Sequence, residues 1–126
     1  VGDWSSDVCS SDLCMSDCIF CKMANGEIPV EFVYRDEDVL VIRDINPQAP
    51  THFLVIPTQH IASSVEVADP SVWNKVLGRA VELARQLGLD KSGFRMVVNT
   101  GEQGGQTVPH LHLHLLSGRH FGWPPG

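Results

Sequence analysis

No apolar run in this 126-residue chain approaches the roughly 18 residues of a membrane-crossing helix, so no bilayer span is expected. Basic residues are scarce: 9 Lys plus Arg against 15 Asp plus Glu give a net charge of −6. Without a Lys/Arg block, binding to nucleic acid or to an anionic lipid surface is not expected. A small phosphorylated ligand stays open, because backbone amides and histidines hold phosphate without a basic surface. No internal repeat or low-complexity block appears. What is present is an ordinary globular balance, 43% hydrophobic and 19% charged, in a length that fits one small domain.

The first fourteen residues stand apart from the rest. VGDWSSDVCSSDLC has neither a basic segment nor an apolar core, so it does not read as a signal peptide, and it lacks a helical or strand period. Asp3–Leu13 resembles the translation of a sequencing-adapter oligonucleotide. Residues 1–14 are therefore expected to be a non-native or disordered leader, with the natural start at Met15 and one domain over 15–126. Removing the leader with Asp3, Asp7 and Asp12 leaves a net charge of −3. Cys9 and Cys14 drop out with it. The remaining pair, Cys18 and Cys21, makes no disulfide scaffold and points to a reducing, cytoplasmic compartment.

Ser16-Asp17 is a cap signal for a short helix from Cys18 to about Ala24, ended by Asn25-Gly26. Phe32–Arg35 and Val39–Arg43 are β-rich runs joined by a tight turn at Asp36-Glu37-Asp38, and Thr51–Pro57 is a buried strand. Asp69 at the cap and Pro70 at the first helical position open the one long helix. Val72, Val76, Ala80, Leu83, Ala84 and Leu87 form its apolar face, and Gly88 stops it. Phe94–Asn99 is a further strand, followed by a Gly-rich loop over Thr100–Thr107. Antiparallel strands with one long helix predict an α+β domain with the helix on one sheet face.

His110-Leu111-His112-Leu113-His114-Leu115-Leu116 alternates strictly. In a strand the leucines enter the core on one face and the three histidines emerge together on the other. Neighbouring rings on that face lie roughly 7 Å apart, close enough for one ligand to touch two of them. Neutral imidazole attacks phosphorus, and charged imidazole donates hydrogen bonds. Three histidines also suit a catalytic zinc with one water, and that reading stays open on the histidines alone. Gly104-Gly105-Gln106-Thr107 just before them supplies amides for a phosphate and tips the balance toward a phosphoryl site.

The signature His110-Leu-His112-Leu-His114-Leu-Leu resembles that of the histidine-triad (HIT) nucleotide-binding proteins. Asp44–His52, Asn99, Gly104–Thr107 and Trp123-Pro124-Pro125-Gly126 are similar to further segments of that family, so the likeness runs from about Asp17 to the C-terminus. The branch it resembles most is the Hint-like purine nucleoside phosphoramidases. The resemblance implies a five-stranded antiparallel sheet with a long helix and a short N-terminal helix, dimerising into a ten-stranded sheet. It implies hydrolysis of purine nucleoside 5′-phosphoramidates to the monophosphate through a covalent nucleotidyl-histidine. Dinucleoside polyphosphate hydrolysis and non-catalytic nucleotide binding are the alternatives.

Carried over residue by residue, the resemblance makes His112 the nucleophile. His114 and Gln106 become donors to the phosphoryl oxygens, beside the amides around Gly105. Thr107 falls near the phosphate or leaving group, and His110 at the edge of the triad. Asn99 falls on the phosphate side, Asp44 on the ribose hydroxyls, Phe20 and Ile45 on the purine, and Trp123 on the partner subunit's site. Plainer readings stand beside these: Asp44 ending a strand, Phe20 in the core, Asn99 in a turn and Trp123 anchoring a tail. Pro109 departs from an aromatic residue common in close relatives. No cofactor is implied for the chemistry. A structural zinc is implied on Cys18, Cys21, His52 and His110, with His60 as second choice for the place of His52.

Overall fold

The computed structural model describes residues 18–126. The expected leader over 1–14 and the Ser16-Asp17 cap lie outside the described residues. Helix α1 (Ile19–Ala24) is followed by strands β1 (Phe32–Arg35), β2 (Val39–Arg43) and β3 (Thr51–Pro57). A 3-10 turn at Ser64–Glu66 leads to the long helix α2 (Ser71–Gln86), a one-turn helix α3 (Leu89–Ser92), and strands β4 (Phe94–Val97) and β5 (Leu113–Ser117). The five strands form one sheet in the order β1-β2-β3-β5-β4. All four pairings are antiparallel. No described helix is long and apolar enough to cross a membrane.

β2 and β3 are apolar on both faces because both faces are covered. Val39, Val41, Phe53 and Val55 point to the α2 side, where Val72, Val76, Ala80 and Leu83 meet them together with Leu111, Leu113 and Leu115. The alternate residues Leu40, Ile42, Leu54 and Ile56 point the other way and pack on Cys18, Phe20 and Cys21 of the α1 turn. The period-2 alternation of the central strands thus builds two cores, one under each helix. Burying a side chain of this size contributes roughly 1.5–3 kcal/mol.

Several boundaries differ from expectation, beginning with helix α1, which starts at Ile19 with Cys18 as its N-cap. Helix α2 begins one residue late, with Pro70 at the N-cap in place of Asp69, whose Oδ1 accepts from the Ser71 amide at 3.0 Å just ahead of the helix. Leu87, expected on the apolar face, sits past the last turn and is 50% exposed. Gly88 at φ 76 ends the helix as expected, and α3 follows as a single turn too short to show a period. β4 stops at Val97, two residues before Asn99.

The largest difference concerns the histidine segment. The ladder of β5 starts at Leu113, paired with Val55 of β3, so His110, Leu111 and His112 precede the regular strand. The alternation nonetheless persists: Leu111, Leu113 and Leu115 all enter the α2 core.

Candidate active site

His112 is 7% exposed, and its Nδ1 lies 2.7 Å from the carbonyl oxygen of His110. A carbonyl only accepts, so Nδ1 carries a proton, and in the neutral ring Nε2 keeps its lone pair. That is the protonation state of a nucleophilic imidazole. The His112 and His114 rings stand 5.1 Å apart, centroid to centroid.

His114 is oriented from behind by a residue that reasoning from the sequence placed elsewhere. Nδ1 of His52 accepts from the backbone N–H of Gln48 at 3.0 Å, which leaves the His52 proton on Nε2. That Nε2 lies 3.0 Å from Nδ1 of His114 and 3.5 Å from Oδ2 of Asp44. The N–H is thus directed to His114, whose own proton must sit on Nε2. His52 is opposite Leu116 in the β3–β5 register, two residues from His114, so the two rings are diagonal neighbours on one sheet face. Burial, then the nearby His112 and His52, push the His114 pKa down to about 4, with Asp44 opposing. Burial also lowers that of His52, again against Asp44.

The expected metal set is corrected at one position. Cys18, Cys21, His60 and His110 present ligand atoms that all lie within 4.8 Å of one another, whereas His52 groups with Asp44 and His114. Both His52 and His110 lie on the α1 side of the sheet, but His110 is anchored at the far end of β3. Its Nε2–H donates to the Pro57 carbonyl at 2.9 Å. Its Nδ1 therefore carries a lone pair, 3.2 Å from Cys18 Sγ and 3.6 Å from Cys21 Sγ. His60 Nδ1 lies 3.2 Å from Cys21 Sγ. A tetrahedral zinc with two thiolates and two imidazoles puts neighbouring ligand atoms roughly 3.3–3.8 Å apart, so this donor set fits the ion. Burial and the adjacent Cys18 push the Cys21 thiol up to about 12. A zinc site on all three triad histidines does not match this grouping, since His110 faces the thiols and the Nδ1 of His112 faces a carbonyl.

The remaining expected residues divide between loop, core and rim. The Gln106 side chain braces the Gly-rich loop. Its amide nitrogen donates to the carbonyls of Ala62 at 2.7 Å and Val108 at 3.0 Å, and its Oε1 accepts from the Gly101 amide at 3.0 Å. The backbone amides of Gly105 and Gln106 close turns onto Glu102 and Gly101. Those groups hold the loop in this structure instead of facing a ligand as free donors. Thr107 is exposed at the loop's end, and Asn99 is half-buried just past β4. Phe20 is only 5% exposed and meets His110 and His112 edge-on, with centroids at 5.6 and 5.3 Å. Asp44 Oδ1 accepts from the Asn46 amide, leaving Oδ2 toward His52. Ile45 and Trp123 are 98% and 85% exposed.

The HIT domain family model matches residues 25–121. A HIT family hydrolase from Legionella pneumophila superposes with a TM-score of 0.83 at 50% identity, covering 86% of this chain and 99% of that one. A 14 kDa zinc-binding protein of Zea mays is 45% identical over 115 residues, 88% of this chain and 89% of its own. A histidine triad nucleotide-binding protein from Candida albicans superposes with a TM-score of 0.74 at 30% identity, covering 86% of this chain and 84% of that one.

Proposed function

The chain belongs to the HIT-domain family, and from that premise we propose that it hydrolyses purine nucleoside 5′-phosphoramidates through a covalent intermediate on His112. The observation that carries the reading is the 2.7 Å bond from His112 Nδ1–H to the His110 carbonyl, which leaves Nε2 free to attack. A bond forms between Nε2 and the α-phosphorus as the P–N bond breaks, and the amine departs with a proton taken from solvent. Water then attacks the phosphorus, the P–Nε2 bond breaks, and the nucleoside monophosphate leaves. Splitting one displacement into two lowers each barrier.

In this reading the outer N–H of His114 donates to a phosphoryl oxygen, its direction set by His52 and the Gln48 amide. Thr107 and Asn99 line the phosphate side, with Gly105 and Gln106 shaping the loop beneath it. Asp44 receives the ribose hydroxyls. Ile45 and the exposed remainder of Phe20 take the purine, and Trp123 reaches toward the site of a second subunit in a homodimer. The name of the Candida relative supports a nucleotide ligand.

The Cys18, Cys21, His60 and His110 set is read as a structural zinc site, supported by the donor spacing and by the name of the maize relative. Cys18, Cys21, His60 and His110 would hold a zinc ion that would cross-link α1, the segment after β3 and the triad. The compartment is read as the cytoplasm, where thiols stay reduced.

The test is intact-protein mass spectrometry after brief mixing with an adenosine 5′-phosphoramidate. An AMP adduct is expected on the wild type and not on His112→Gly. Turnover without an adduct, lost in the presence of a chelator, would overturn the covalent reading.

A further inference from the structure

The nucleophile segment lies outside the sheet. The β5 ladder begins at Leu113, so backbone pairing with β3 does not hold the main chain at His110, Leu111 and His112. Contacts outside the sheet hold it, beginning with the His110 amide, which donates to the Val108 carbonyl at 2.8 Å. The Leu111 amide donates to the Ile61 carbonyl at 2.6 Å. The His110 ring is tied to Pro57 through Nε2 and faces the two thiols through Nδ1. Phe20, set between the two cysteines in sequence, presses edge-on against both His110 and His112.

Apart from Pro57 and Val108, these anchors are cluster residues or their direct neighbours. Ile61 follows His60, Leu111 follows His110, and Phe20 sits within Cys18-x-x-Cys21. His110 itself joins the two sites: its ring is in the cluster and its carbonyl takes the His112 proton at 2.7 Å. Without the cluster bridged, this stretch of chain depends on two backbone bonds, the His110–Pro57 bond and packing.

We propose that the Cys18/Cys21/His60/His110 cluster is a positioning device for His112, replacing the absent ladder, so that its metal loading sets the aim and tautomer of that ring. The cluster residues touch no substrate; they act through the His110 carbonyl and the Phe20 ring. This rests on the reading of His112 as nucleophile only for its catalytic consequence, since the ring geometry is measurable without turnover.

The test uses the full chain, zinc-loaded and then stripped by a chelator, with two readouts. Long-range 1H–15N correlation spectra report the His112 Nδ1–H tautomer. Steady-state kinetics separate kcat from KM. On stripping, the ordered Nδ1–H signal should disappear into exchange and kcat should fall about tenfold or more, with KM changed little; zinc alone should restore both. A folded, stripped chain that keeps the His112 signal and kcat overturns the proposal. Where stripping unfolds the chain, cadmium replaces zinc: the larger ion should shift the His112 signal and kcat, and identical values overturn the proposal. Absence of an AMP adduct with a metal-sensitive His112 signal would sink the proposed chemistry while supporting the positioning. An adduct formed equally fast in the stripped chain would do the reverse.

Discussion

His52 Nε2 stands 3.0 Å from Nδ1 of His114, and the Gln48 amide behind it decides which of the two rings donates. A backbone N–H in the loop before β3 thereby fixes the outward N–H of a triad histidine, through two imidazoles and without a charge. Asp44, at 3.5 Å, adds a carboxylate beside the same His52 nitrogen.

Removing that donor should be felt at the phosphate. His52→Ala is expected to lower kcat about 10–100-fold, with a smaller change in KM. His52→Gln, whose amide N–H reaches toward His114, should recover part of the loss. The 15N shifts of His114 should show a mixed tautomer in the alanine variant and one tautomer in the wild type.

Acid should destabilise the fold through the same pair. Folded His114 stays neutral down to about 4, against 6.5 for an exposed imidazole, because burial and its histidine neighbours disfavour the cation. The unfolded chain takes up that proton near 6.5 and the folded chain does not, so stability is complete above 6.5 and declines as pH falls toward 4. Urea midpoints of the zinc-free chain, measured from about pH 7.5 to about pH 5, should fall steadily. A flat profile would refute the burial argument.

Metal uptake should run in the opposite proton direction. The Cys21 thiol, pushed up to about 12 by burial and by Cys18, is protonated in the metal-free chain. Zinc must displace that proton, so apparent affinity should strengthen as pH rises. Calorimetry in two buffers of different ionisation heat should register proton release, and Cys21→Ala should abolish tight one-to-one binding.

Gly118 closes the turn after β5 at φ +100, where a Cβ would stand 2.8 Å from Cβ of Pro50. Gly118→Ala should therefore cost about 1–3 kcal/mol, read as a lower Tm with kcat unchanged at permissive temperature.

Much of this architecture was legible in the residues. The hairpin at Asp36–Asp38, the two-faced apolar strands and the α2 stripe obey short-range periods, and the structure follows them. The histidine segment obeyed its alternation but not its expected start. What holds His110 is a ring in a cluster drawn from α1 and the chain after β3, which no local pattern reveals. The expectation of His52 in the metal set failed for a related reason. His52 and Pro57 share one strand, and five residues of strand separate them by roughly 16 Å. Only knowing that the cysteines gather at the Pro57 end decides for His60. The α3 turn, four residues long, carried no period to read.

Ile45 and Trp123 contribute almost nothing to the core, being 98% and 85% exposed, while His110 and His112 are buried in it. Substitutions on such exposed positions usually change stability by less than about 0.5 kcal/mol. Under the proposed function, evolvability is thereby partitioned in space: the rim is free to drift toward new leaving groups or bases, and the buried histidines and cysteines must change together or not at all.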